Sequence, residues 1–147
     1  MLSRMDVNPA KRILLVEDEE VDRLIIKRAL GKNAAEIDVT QAADGIEALE
    51  TLRGNEGCSP LEPPFLVLLD LNMPRMGGLE FLAELRKDAA LKRTVVFVLT
   101  TSAHEDDLRA CYDFGVAGYM YKQQLTKEHR TFARFLDDYL TLVRLPS

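Results

Sequence analysis

Tryptophan is absent from the chain, and cysteine and histidine occur only twice each. Neither pair has ligand or framework spacing, so nothing points to a Cys/His metal centre or a disulfide-stapled fold. Cys58 falls in a loop and Cys111 in a helix, where packing is its expected role, and a reducing cytoplasm suits both. His104 and His129 read as surface or capping residues. No apolar run approaches the roughly 18 residues of a membrane helix. Residues 1–10 contain no apolar core of a secretory signal. Basic residues are outnumbered, 19 against 24, for a net charge of -5. A nucleic-acid surface usually shows a basic excess or cluster, so none is expected. No internal repeat or low-complexity segment occurs.

What is present is an ordinary globular composition, 147 residues with 47% hydrophobic and 29% charged. That length suits one domain with a sizeable core, over 11–147 behind a tail over 1–10. Strand and helix patterns alternate along it, the signature of a parallel sheet covered on both faces. The first strand covers 12–16. The helix after it carries Val21, Leu24, Ile25 and Leu30, with acids early, Lys27 and Arg28 late, and Gly31 as its stop. A short alternating strand over 37–41 suits a sheet edge. Asp44 and Glu47 form a capping pattern for a helix ending near Arg53. A long loop over 54–64 holds two glycines and three prolines.

A continuous apolar run, Phe65 to Leu69, reads as a buried strand and ends at Asp70. A helix over 78–87 follows, with Phe81, Leu82 and Leu85 as its buried stripe. The fourth strand spans 94–99. The fourth helix opens on a second capping pattern at Ser102 and Glu105 and stops at Gly115, with Tyr112 and Phe114 expected in the core. A fifth strand over 118–122 and a fifth helix over 126–144 complete the pattern. Five such pairs predict a doubly wound sheet of order 2-1-3-4-5, with its site at the carboxyl ends where the winding reverses.

That edge gathers Glu17 and Asp18 after strand one, Asp70 after strand three, Thr100 after strand four and Lys122 after strand five. Singly, each has a bland role as a cap or a solvated charge; together they suit phosphoryl chemistry. Three close carboxylates raise one another's pKa unless a cation compensates. Magnesium, an oxygen-seeking ion that binds through one or two carboxylates and a phosphate oxygen, is the natural one. Asp18 and Asp70 are the expected direct ligands, with Glu17 direct or through water and a backbone carbonyl near Asn72 as a further oxygen. Asp70 can then act as a nucleophile toward phosphorus. Lys122, Thr100 and backbone N–H groups are available for the phosphoryl oxygens.

These segments resemble a response-regulator receiver domain, the CheY-like module of two-component signalling. The resemblance is carried by Ile13-Leu14-Leu15-Val16-Glu17-Asp18, by Leu68-Leu69-Asp70 through Met73-Pro74 to Gly77-Gly78, by Val98-Leu99-Thr100-Thr101-Ser102, and by Gly115 to Lys122. It implies Asp70 as phosphoacceptor, Glu17 and Asp18 as metal-binding acids, and Lys122 as phosphate-binding lysine. Thr100 and Tyr119 become the switch hydroxyl and switch aromatic, remodelling the face of the fourth helix, fifth strand and fifth helix. Asn72 and Ser102 take the positions that tune phosphate lifetime. Leu99-Thr100-Thr101-Ser102 and the long loop before strand three further resemble regulators paired with phytochrome-type histidine kinases. A histidine kinase partner, no output domain and a homodimer through the fifth helix are implied. Such a domain catalyses only its own phosphorylation and slow hydrolysis.

Two positions depart from the family. Gln123 stands where proline, joined by a cis bond, usually follows the lysine; a cis bond before a non-proline residue costs about 3–4 kcal/mol, so a trans bond is expected. Gly77 stands where aspartate is common. Other readings are a phosphohydrolase, disfavoured because Asn72 replaces its second acid, and an FMN carrier, disfavoured by Glu17-Asp18-Glu19-Glu20 in place of a hydroxyl-rich loop. A phosphorylation-independent adaptor and a phosphorelay intermediate stay open. In the fifth helix Phe132, Phe135, Leu136, Tyr139, Leu140 and Val143 form a stripe about 140° wide. It either covers the sheet entirely or leaves an edge for a second copy.

Overall fold

The computed structural model describes residues 11–31 and 36–147; the expected tail over 1–10 lies outside them. Strands β1 (Lys11–Val16), β2 (Ile37–Ala42), β3 (Leu66–Leu69), β4 (Val95–Thr100) and β5 (Gly118–Tyr121) alternate with helices α1 (Glu20–Ala29), α2 (Gly45–Arg53), α3 (Gly78–Lys87), α4 (Glu105–Asp113), α5 (Lys122–Lys127) and α6 (His129–Leu142). All strand pairs are parallel, in the order β2-β1-β3-β4-β5, with β2 at an edge as expected.

Each inner strand is apolar on both sides because helices cover both faces. Leu14, Val16, Val67, Leu69, Val96 and Val98 pack against α2, α3 and Cys111 of α4. The alternate residues Ile13, Leu15, Leu66, Leu68, Phe97 and Leu99 pack against α1, α5 and α6. The period-2 pleat thus sends successive side chains into two separate cores. Helix signals act locally as expected. The Asp44 carboxylate accepts the Glu47 N–H at 2.9 Å. Gly31 and Gly115, with φ of 64° and 74°, take the left-handed turns that end α1 and α4.

Several expectations are corrected. Of the apolar residues expected to mark α1, Leu30 is buried but Val21, Leu24 and Ile25 are exposed; Ile26 and Ala29 join Leu30 in the core. Tyr112 is 50% exposed, whereas Phe114 packs partly against the core. Ser102 does not cap α4: His104 holds the N-cap position, and the Ser102 hydroxyl donates to Asp107 Oδ2 at 2.5 Å. The oxygen of the same hydroxyl accepts the His104 N–H at 3.4 Å, so the serine holds the turn before the helix while α4 itself begins at Glu105. Lys122 is the first residue of α5 and not the last of a strand. Proline would disfavour helical geometry in the residue before it; Gln123 leaves Lys122 free to adopt it. Among the described residues the cis bond is Pro63–Pro64, so Lys122–Gln123 is trans as expected. The single fifth helix is two, broken at Glu128, whose φ of -122° and ψ of 42° leave helical space.

The α6 stripe is divided. Phe132, Leu136 and Leu140 are buried, whereas Phe135 and Val143 are 42% and 39% exposed. Phe97 of β4 meets the rings of Phe135 and Tyr139 edge-on, at centroid distances of 5.5 and 5.0 Å.

Candidate functional site

Parallel strands all deliver their carboxyl ends to one edge, and β1 and β3 lie side by side there. The ladder runs past the strand ends: the Asp70 N–H donates to the Val16 carbonyl at 3.0 Å, and the Glu17 N–H to the Ala42 carbonyl at 2.9 Å. This fixes Glu17 and Asp70 beside each other at the winding reversal. Arg23 of α1 closes the β1–α1 turn by donating to the Glu17 carbonyl at 2.9 Å. On the other side, Gly78 starts α3 against the Asp70 turn, with its N–H on the Leu71 carbonyl at 2.9 Å. A Cβ at Gly78 would stand 2.5 Å from the Asp70 carbonyl oxygen and 2.8 Å from Leu71 Cα, so only glycine fits.

One oxygen each from Glu17, Asp18 and Asp70 lies within 4.8 Å of the others. The two Asp70 oxygens have different surroundings. Oδ1 accepts the Leu71 N–H at 2.8 Å, and Oδ2 lies 3.4 Å from Lys122 Nζ. Lys122 also stands 2.6 Å from Glu17 Oε1 and 2.8 Å from Asp22 Oδ2. The Glu17 contact is close but poorly directed for a hydrogen bond, and Asp18 Oδ1 is buried with no partner among the described residues. A buried carboxylate oxygen without a donor is costly unless something positive meets it. Its hard oxygen neighbours suit a divalent cation of the magnesium or manganese kind. The donor set fits such an ion.

The electrostatics agree. The Glu17 carboxyl is pushed up to about 7, chiefly by burial and further by the nearby Asp70 charge, against the downward pull of the Lys122 ammonium. For Lys122, burial favours loss of the proton, but the hydrogen bond to Asp22 and the close carboxylates of Glu17 and Asp70 outweigh it and hold the ammonium above its ordinary pKa. The lysine therefore stays charged throughout the neutral range.

Thr100, fully buried at the end of β4, accepts the Ser102 N–H on its hydroxyl at 3.2 Å. Tyr119 is half-buried, and its phenol donates to the Ser102 carbonyl at 2.9 Å. Asn72 is exposed in the turn after Asp70. The fold thus brings Glu17, Asp18, Asp70 and Lys122 into direct contact or near it, and joins Thr100, Ser102 and Tyr119 in an adjoining chain of hydrogen bonds.

The model of the response regulator receiver domain matches residues 13–133. The chain belongs to this family. Response regulator Rcp1 of Synechocystis sp. is 36% identical over 141 residues, 95% of this chain and 96% of its own length. Among solved structures, the receiver fold here is similar to the phosphorylated cyanobacterial phytochrome response regulator RcpA. That structure is 37% identical with a TM-score of 0.84, over 95% of this chain and 100% of RcpA. The Mn2+-bound form of Rcp1 matches at 35% identity and a TM-score of 0.80, over 93% of this chain and 99% of Rcp1. This chain is thus a receiver-domain response regulator homologous to phytochrome response regulators, and a phosphoryl-acceptor role fits the family. No helix among the described residues is long and apolar enough to cross a membrane.

Sequence reasoning passed over Asp22, grouped with the first-turn acids of α1 although it faces Lys122. Its spacing from Glu17 was a usable signal, since a helix starting after Asp18 lifts Asp22 to the same mouth of the sheet. It also passed over Gly78, whose need for a bare Cα is visible only once α3 is packed.

Proposed function

We propose that the chain is a phosphoryl-accepting switch of two-component signalling, with Asp70 as acceptor and a phytochrome-type histidine kinase as donor. The observation that carries this is the pairing of Asp70 Oδ2 with the Lys122 ammonium at 3.4 Å, beside a buried oxygen of Asp18 that has no partner among the described residues. Similarity to RcpA and Rcp1 supports the choice of kinase.

An Asp70 carboxylate oxygen attacks the phosphorus of a phosphohistidine; the O–P bond forms, the N–P bond breaks, and its electron pair leaves with the imidazole nitrogen. The Leu71 N–H, already on Oδ1, orients the carboxylate for this attack. Glu17, Asp18 and Asp70 hold magnesium, with a backbone carbonyl at Asn72 as a further oxygen. When bound, that ion neutralises charge on the phosphoryl oxygens. Lys122 takes a second oxygen and the Thr100 hydroxyl a third. Drawing Thr100 inward releases its bond from Ser102 and lets Tyr119 follow, which remodels the α4–β5–α5 face. Asn72 and Ser102 take the positions that tune phosphate lifetime in the family and set how readily water reaches the acceptor. The activity is self-phosphorylation and slow hydrolysis, with no metabolite turned over, and the setting is the cytoplasm.

The exposed Phe135 and Val143 beside the buried half of α6 support a homodimer through this region.

The test is intact mass after incubation with magnesium and acetyl phosphate, for wild type and Asp70→Asn. One phosphoryl mass gained by wild type, lost with EDTA and absent in the variant, is the expected result. No gain under conditions that label a control receiver would favour an adaptor that works without phosphorylation.

A further inference from the structure

A lysine ammonium carries three N–H donors. Those of Lys122 face three carboxylates, Glu17 at 2.6 Å, Asp22 at 2.8 Å and Asp70 at 3.4 Å. Two of the three belong to the acidic cluster; Asp22 does not. It stands in the first turn of α1 with its side chain 34% exposed, whereas that of Lys122 is only 13% exposed. This asymmetry matters when the cluster takes a divalent ion. Glu17 and Asp70 then turn their oxygens to the ion, and its charge opposes the ammonium. Without an outside partner, Lys122 would lose its contacts while remaining mostly desolvated, a costly state for a charge. It would instead cling to Glu17 and Asp70 and compete with the ion.

We propose that Asp22 is a positioning residue that holds the Lys122 ammonium from outside the cluster, so that lysine and divalent cation occupy the crevice together and do not compete. The role rests on the receiver-site reading above. Its chemistry is simple: the charge-assisted hydrogen bond from Lys122 Nζ to Asp22 Oδ2, 2.8 Å long, lies outside the cluster and would persist when the cluster takes an ion. The bond also joins α1 to the start of α5, so the lysine is in place before a phosphoryl group arrives.

A double-mutant cycle on Mn2+ affinity tests this, with free ion read by its electron paramagnetic resonance signal. Asp22→Asn should weaken Mn2+ binding about tenfold, the scale of one hydrogen bond to a charged group. Lys122→Gln should tighten binding only modestly, through loss of the ammonium's like-charge repulsion, because Asp22 already keeps the lysine from competing. In the Lys122→Gln background, Asp22→Asn should change affinity by less than about twofold. Asp22→Ala should repeat the pattern, and thermal melts confirm that each variant is folded. An equal loss in both backgrounds would mean that Asp22 acts only as a nearby negative charge, and would overturn the proposal; so would no loss in either. Acetyl phosphate labelling of wild type separates the two levels. If wild type binds Mn2+ and labels on Asp70 while the cycle is additive, only the role of Asp22 fails. If wild type neither binds nor labels, the receiver-site reading fails and takes this one with it.

Discussion

The Tyr119 phenol is hydrogen-bonded to the backbone of Ser102, at 2.9 Å. Ser102 in turn donates its N–H to Thr100 Oγ1 at 3.2 Å and its hydroxyl to Asp107 of α4 at 2.5 Å. One residue therefore connects the proposed switch hydroxyl, the proposed switch aromatic and the helix beside them. In the proposed switch, a pull on Thr100 toward Asp70 would reach Tyr119 and α4 through that residue, with no long pathway between them.

Tyr119→Phe keeps the ring and removes the donor. Urea unfolding should show a loss of about 1 kcal/mol, the net worth of one such bond. The ring should also exchange between positions more readily, and NMR line broadening at the Thr100 and Ser102 amides would record that. Unchanged stability together with unchanged amide lines would mean that the bond restrains nothing.

Gly78→Ala pits helix propensity against space. Alanine is favoured over glycine by about 1 kcal/mol inside a helix. Here the added Cβ meets backbone atoms of Asp70 and Leu71 at 2.5 and 2.8 Å, which cannot swing aside as a side chain could. The clash should win, with a net loss of about 1–3 kcal/mol in chemical denaturation. The same displacement moves the Asp70 turn, so acetyl phosphate labelling should slow even in protein that is fully folded.

Arg86 is a clasp. Its guanidinium donates to the carbonyls of Phe114 at 2.6 Å, of Lys92 and Thr94 at 2.8 Å, and of Gly115 at 3.2 Å. It ties α3 to the turns that enter β4 and β5. Burial alone lowers its pKa. Arg86→Lys keeps the charge but not the planar fork of donors, and should cost about 2–3 kcal/mol in urea unfolding. A cost no larger than that of an exposed Arg→Lys change would show that water replaces the fork without penalty.

Asp44 supplies a pH dependence. Burial raises its pKa, but the Glu47 N–H and the Arg75 guanidinium, 2.7 Å away, outweigh it and hold the carboxyl below its ordinary value of 3.8. As pH falls, the unfolded chain takes up this proton before the folded one does. The carboxylate's contribution is therefore complete above about pH 4 and is lost as pH drops through the lower folded value. Asp44→Asn should be less stable than wild type at pH 6, and the gap should close toward pH 3. A gap that holds constant between those values would remove the charge from the argument.

Much of this was legible in the chain. Short apolar runs, acid-rich helix starts and glycine stops require only neighbours in sequence, and they give five strands alternating with helices; the order observed follows from likeness to doubly wound sheets. Asp70 was conspicuous because a lone acid ending a buried strand needs a partner. Less legible were choices between partners distant in sequence. Ser102 has the spacing of a cap for α4, yet the helix starts later, with His104 at its N-cap and the Ser102 hydroxyl donating to Asp107. Val21, Leu24 and Ile25 are as apolar as core residues, yet the orientation of α1 on the sheet leaves them exposed.

The order of strands and helices, the carboxyl-end location of the acids and the membership of Asp70 and Lys122 in one edge were set by local pattern, since parallel winding sends every strand end to the same side. Which oxygen of Asp70 faces Lys122, that Asp22 shares the same ammonium, and that α6 buries Phe132 but exposes Phe135 were decided only by tertiary packing. Those outcomes depend on ångström-scale distances between elements far apart in the chain, where burial and charge compete and no local signal ranks them.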